Sequence, residues 1–183
     1  GMPAVVKASE QTSFLTEAMV HDIVASGILP EGALQLICGT GRGLLDHVQN
    51  QDVVTFTGSA ETGKKLRAHP ALIEHSVPFT MEADSLNAAV LGEDAVPGTP
   101  EFDLFIKEVR REMVTKAGQK CTAVRRILVP ENLLDEAQKA LSKELAKTLV
   151  GDPSVEGVRM GALINRHQLD RVREKLRLLA AKT

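Results

Sequence analysis

The chain has 183 residues, 43% of them hydrophobic and 25% charged, with a formal net charge of -2, which is enough to fold one good-sized domain or two smaller ones. It has five Phe, no Trp, no Tyr and no large basic block, so the cationic face and stacking aromatics of a nucleic-acid binder are missing. No apolar run approaches a membrane span, and Cys38 and Cys121 form no CxxC; a protein without membrane segment or zinc motif, in a reducing cytoplasmic setting, is expected.

The first part of the chain alternates strand and helix. AVVKA (Ala4–Ala8) predicts a strand, and a helix follows around Glu10–Ser26, with Leu15, Met19 and Ile23 at fourfold spacing. Gly27 and Pro30 end it, glycine just past the last turn and proline beyond. LQLIC (Leu34–Cys38) predicts a second strand, GTGRG a turn, and LLDHV a short helix. VVTFT (Val53–Thr57) is a third strand, FTGSAETGKK carries a turn into a helix, and PFTME is a fourth strand ending at Glu82. Parallel strands need crossovers, so this alternation predicts a parallel Rossmann-like sheet with helices on both faces. Ligands of such sheets bind beyond the carboxyl ends of the strands.

After Val90 the pattern changes. LGEDAVPGTPE predicts a connector, then a helix from about Glu101 to Lys116 aligns Phe102, Phe105, Ile106, Val109 and Met113. Its other face, Lys107, Glu108, Arg110, Arg111 and Glu112, is read as solvated. Arg126–Pro130 predicts a strand, Glu131–Val150 a long helix, GALIN an extended piece, and Asn165–Lys182 a last helix.

Between the Glu101 helix and the next strand lies TKAGQKCTAVRR (Thr115–Arg126), a short polar turn holding Cys121 among Lys116, Lys120, Arg125 and Arg126. Cations favour thiolate, the nucleophilic form. Most free cysteines are structural, and composition leaves the two readings even. Cys38 ends an apolar strand and is expected in the core. The five histidines show no ligand spacing, so no metal site is expected. In FTGSAETGKK the helix start after Gly58 and Ser59 suits a phosphate. That segment misses the P-loop pattern by one residue, since Lys65 stands where Ser or Thr would ligate magnesium. A glycine turn without a ligand is the remaining alternative.

Taken together, AGQKCTA, FTGSAETG and a glutamate ending the following strand resemble the aldehyde dehydrogenase superfamily, with its nucleophile pattern G-Q-x-C and its G-x-x-x-x-G after a strand ending F-T-G-S. VKASEQT is similar to the family's K-P-[AS]-E-x-T, while VGDP and MGALIN resemble V-G-D-P and G-P-L-I. The family continues its glutamate as E-L-G-G-K, whereas this chain reads EADSLN. Within the family, TMEADSLN with AGQKCTA looks most similar to the dehydrogenase part of the ring-opening enzyme of phenylacetate degradation.

The resemblance implies residues 1–83 as part of an NAD(P)-binding domain and 84–183 as the start of an α/β catalytic domain. It implies Cys121 as nucleophile and Glu82 as general base. Lys7, Ser9 and Glu10 would hold the adenosine ribose, with Phe56, Thr57, Gly58, Ser59 and Gly63 lining the rest of the NAD(P) site. Glu10 favours NAD and Lys7 with Ser9 could take the 2′-phosphate of NADP, so both stay open. The implied activity is oxidation of a small-molecule aldehyde, a CoA-linked semialdehyde of aromatic catabolism, to the acid by a homo-oligomer. An inert scaffold derived from a dehydrogenase is the rival. The family's oxyanion asparagine upstream and its E-x-F-G-P downstream are not in these residues, so the chain is expected to be the middle of a longer enzyme and inactive alone.

Overall fold

The computed structural model describes residues 1–182; Thr183, the end of the expected second domain, lies outside them. The chain forms two compact units, Gly1–Ala83 and the residues from Asp84 onward.

In the first unit, β1 (Ala4–Lys7) pairs in parallel with β2 (Leu34–Ile37), and β3 (Val54–Gly58) with β4 (Phe79–Ala83). The crossover between β1 and β2 contains α1 (Ser13–Ala25); that between β3 and β4 contains α2 (Ala60–Arg67) and α3 (Pro70–Glu74). The α/β class with parallel pairing is as expected. The sheet is not continuous, however: among the described residues the two ladders remain separate two-stranded sheets. Gly27, at φ +67°, ends the first helix as the sequence predicts. The apolar stripe of α1 stays largely exposed, with Leu15 and Met19 both 58% exposed and Phe14 73%.

The short helix expected over LLDHV forms as a 3₁₀ helix, Leu44–His47, entered from Gly43 at φ +75°. One expectation needs correction here. Cys38 is exposed rather than in the core: the β2 ladder stops at Ile37, and the thiol lies one residue past the last strand pair.

The second unit adds β5 (Asn87–Val90), parallel to β6 (Val124–Leu128), with a register shift between Asn87 and Ala88. The strand β5 escaped sequence reading because Asn-Ala-Ala carries little strand preference. Between them runs α4 (Pro100–Val114), with Pro100 in its first turn and the Thr99 hydroxyl accepting the Phe102 N–H at 3.3 Å. Helix α5 (Leu134–Ala146) follows a 3₁₀ turn, Glu131–Leu133. It stops short of Val150, which instead bridges in parallel to Met160. Helix α6 (Arg166–Ala180) starts where Asn165 accepts the Gln168 N–H at 2.8 Å. A core of Leu91, Ala95, Phe102, Ile106, Leu133 and Ala137 joins α4 to α5. It fits the apolar spacing of α4, since residues three and four apart share a helix face.

The charged face of α4 is only partly solvated. Arg110 donates to the Thr148 hydroxyl from Nε at 3.3 Å and Nη2 at 3.2 Å, and Glu112 takes a partner in the turn described next.

Candidate active site

In the second unit, Cys121 stands exposed on a turn between α4 and β6. The helix ends abruptly because Lys116 and Ala117 both take φ +53° and Gly118 φ +71°. Two consecutive non-glycine residues in the left-handed region cost on the order of 1–2 kcal/mol each, so the surroundings must hold them there. Gln119 does so from both ends of its amide. Its Nε2 donates to the Lys116 carbonyl at 2.9 Å, and its Oε1 accepts the Ile164 N–H, also at 2.9 Å. The GALIN segment is thereby docked on the turn, and the glutamine of G-Q-x-C acquires a physical reason.

The cations near Cys121 are largely committed to the scaffold. Lys120 Nζ pairs with Glu112 Oε2 at 2.7 Å, both side chains about one-fifth exposed. Arg125 Nη2 donates to the carbonyls of Gly118 at 3.1 Å and Lys120 at 3.3 Å. They hold the loop, whereas the sequence suggested them as a charged cradle for the thiol. The Cys121 carbonyl is itself gripped: the Ser85 hydroxyl donates to it, as does Asn87 Nδ2 at 2.6 Å. Neither residue is visible as a partner in the sequence, because 36 and 34 positions separate them from Cys121.

In the first unit, Glu82 is exposed on β4, opposite Thr57 in the ladder. Asp84, two residues on, takes φ +52°. This is where the family pattern has its first glycine, and Asp is among the few other residues that tolerate the left-handed region. Phe56, Thr57 and Gly58 are the last residues of β3, and Ser59 caps α2, its Oγ accepting the Thr62 N–H at 3.2 Å. The Ser59 hydroxyl, expected to face a ligand, is thus occupied by its own helix.

A side chain at either glycine of the turn would force a neighbour to move. A Cβ on Gly63 would lie 2.3 Å from Met81 Sδ, and one on Gly58 2.5 Å from Phe56 Cζ. At Gly63 helix α2 therefore sits close on Met81 of the β3–β4 ladder. This close approach is what a dinucleotide site needs of its last glycine, so the residues present fit the cofactor. Lys65 is bound to Glu61 at 2.8 Å, which leaves the P-loop reading without its metal-binding hydroxyl.

At the end of β1, Lys7 Nζ lies 3.9 Å from Glu10 Oε1, with Ser9 exposed between them. Three residues expected to hold a ribose are thus together. The GTGRG turn lies against them: a Cβ on Gly41 would fall 3.6 Å from the Lys7 stem. Among the described residues no cluster of three or more His, Cys, Asp or Glu could hold a metal, and no helix is long and apolar enough to cross a membrane.

Known proteins resemble this chain in sequence and fold. The family model described as "Aldehyde dehydrogenase family" matches residues 1–182. The chain is 51% identical over 168 residues to 3,4-dehydroadipyl-CoA semialdehyde dehydrogenase of Aromatoleum evansii, covering 92% of this chain and 33% of that one. It is 30% identical to 1-pyrroline-5-carboxylate dehydrogenase of Oceanobacillus iheyensis, covering 95% and 34%. Betaine aldehyde dehydrogenase from Staphylococcus aureus, solved in complex with NAD+, superposes with a TM-score of 0.85 at 25% identity, over 98% of this chain and 35% of that one. The chain spans about a third of the length of the curated relatives it matches. With a family model matched from its first residue to residue 182, the chain belongs to the aldehyde dehydrogenase family.

Proposed function

We propose that this chain carries the nucleophile, the general base and much of the cofactor-binding surface of an NAD(P)-dependent aldehyde dehydrogenase. Its substrate class is a CoA-linked semialdehyde of aromatic catabolism, and its product the carboxylic acid. The observation that carries the reading is the Cys121 turn. An exposed thiol follows by three residues a left-handed backbone segment, Lys116–Gly118, in a turn that several side chains hold in place, and such strain is kept where a function needs it. The 51% identity to a semialdehyde dehydrogenase supports the substrate class. Family membership and the engaged Lys65 weigh against the P-loop alternative.

In this mechanism the Cys121 thiolate attacks the aldehyde carbon, forming a C–S bond and an alkoxide. Backbone N–H groups of the turn stabilise that oxyanion. The nicotinamide, when bound, supplies the hydride acceptor. Hydride loss from the thiohemiacetal leaves a thioester on Cys121. Glu82 then takes a proton from water, the resulting hydroxide attacks the acyl carbon, and the C–S bond breaks to release acid and thiolate. Lys7, Ser9 and Glu10 would hold the adenosine ribose. The strand end Phe56–Gly58, Ser59 and the helix start at Gly63 would line the pyrophosphate side. The assembly is a homo-oligomer in the cytoplasm.

Stopped-flow measurement of reduced nicotinamide tests the assignment in the active enzyme. Cys121→Ser should abolish the burst and turnover together. Glu82→Gln should keep the burst while steady turnover falls by about a hundredfold or more, the usual size of a lost general base. Full turnover in Cys121→Ser would end the dehydrogenase reading; an unchanged steady rate in Glu82→Gln would remove Glu82 from it. Cys38 is also exposed, so Cys38→Ser is the control and should leave both phases intact.

A further inference from the structure

Ser85 and Asn87 have no part in the mechanism above, yet both donate to one acceptor, the backbone carbonyl of Cys121. Asn87 Nδ2 also reaches the Ala123 carbonyl at 3.3 Å. The two residues open the second unit and lead into β5, where Asn87 is paired with Val124 just before the register shift. That irregularity sets Asn87 beside the turn, out of step with the three strand pairs that follow. Where the family pattern has its second glycine after the glutamate, this chain has Ser85, so the hydroxyl is a departure from the pattern and needs its own account.

The peptide bond is planar, so fixing the Cys121 carbonyl also fixes the Thr122 N–H, which points the opposite way. Cys121 precedes that peptide and follows the left-handed residues Lys116 and Ala117. Arg125 and Gln119 restrain the turn on the N-terminal side of Cys121, at the carbonyls of Lys116, Gly118 and Lys120. Ser85 and Asn87 restrain it at Cys121 itself. Catalysis by an oriented nucleophile is sensitive to displacements of about 1 Å, and a turn held on one side only would leave that freedom.

We propose that Ser85 and Asn87 are positioning residues, a two-donor latch on the Cys121 carbonyl that sets the direction of the Cys121–Thr122 peptide for acyl transfer. The proposal rests on the reading of Cys121 as nucleophile. Either donor alone can satisfy the carbonyl, so the two substitutions should be more than additive when combined.

The test uses Ser85→Ala, Asn87→Ala, the double variant and Ser85→Thr in the active enzyme. Burst rate, aldehyde KM, NAD(P) affinity and amide exchange at Cys121 and Thr122 are measured. Each single alanine variant keeps one donor on the carbonyl and should slow the burst by no more than about fivefold, the fold-change matching one hydrogen bond of roughly 1 kcal/mol. KM and cofactor affinity should not move, whereas a general loss of structure would move both. The double variant should fall by more than the product of the singles and exchange faster at Thr122. Ser85→Thr keeps the hydroxyl and should stay within about twofold of the parent. A double variant with parental burst rate and parental Thr122 exchange would overturn the latch, provided Cys121→Ser has lost the burst. Should Cys121→Ser keep the burst, the dehydrogenase reading fails and takes the catalytic role of the latch with it.

Discussion

Two turns carry the candidate chemistry, and they are held by opposite means. The turn from Gly58 into α2 is held by the absence of atoms: a Cβ at Gly63 or Gly58 would collide with Met81 or Phe56. The turn around Cys121 is held by added polar atoms, with Glu112, Gln119, Arg125, Ser85 and Asn87 all reaching into it. In the proposed function the first approaches the cofactor with bare backbone, so it needs closeness. The second must hold one thiol just after a strained backbone segment, so it needs anchors. The two turns should therefore fail to opposite substitutions, one to added volume and the other to deleted polarity.

The largest effect is expected from Gly63→Val. The branched side chain must displace Met81 or the Phe56 ring from a packed helix–strand contact, which costs about 1–3 kcal/mol and sometimes more. Urea unfolding should show that loss, and NAD(P) affinity should drop with it. A Gly63→Val protein of parental stability would mean that Met81 swings away freely and that glycine is not needed for closeness.

Glu112→Ala should cost about 2 kcal/mol, because it leaves the half-buried Lys120 ammonium without its carboxylate. Glu112→Gln, which keeps the volume and one acceptor, should cost less. Equal losses in the two variants would mean that packing rather than charge holds Lys120. Gln119→Ala should be smaller in stability, about 1 kcal/mol, and should speed amide exchange at Ile164, whose N–H loses its acceptor. Unaltered exchange there would sever the link between GALIN and the nucleophile turn.

The smallest expected effect is one of pH. The Ser154 backbone N–H, at 2.9 Å, holds the Asp152 carboxyl below its ordinary value, and the ammonium of Lys147 does the same for Glu144. Folded values below the unfolded ones mean that this stabilisation is complete above the ordinary carboxylate range. It is lost as pH falls through the depressed values. Asp152 is exposed and Glu144 only partly buried, so the slope in acid should be shallow. Asp152→Asn should flatten it further, and a steeper acid slope in that variant would reverse the assignment.

Much of the site could be read before folding because it is written in contiguous residues. Glycines five apart after a strand, a glutamate ending the next strand and a cysteine after Gly-Gln are local strings. Helices such as α4 follow from the period of their apolar residues, which is fixed by backbone geometry alone. The sequence could name the cations around Cys121, but not what they touch. It assigned Lys120 and Arg125 to the thiol, Glu112 to solvent and Cys38 to the core, and the structure moves all four.

The α/β class and the parallel pairing of strands were thus legible in the order of residues alone, while the candidate nucleophile and base came from the family resemblance of local motifs. Folding in three dimensions was needed to show that a Cβ at residue 63 would strike Met81, and that Ser85, Asn87 and Ile164 meet the turn that carries Cys121. The reason is separation along the chain. A periodicity or a motif is a property of neighbours, whereas the contacts that Ser85, Asn87 and Ile164 make with this turn join residues 34 to 45 positions apart. Such pairs form only once strands and helices have closed the loops between them, and no local preference of serine, asparagine or glutamine records which partner the closed chain will present.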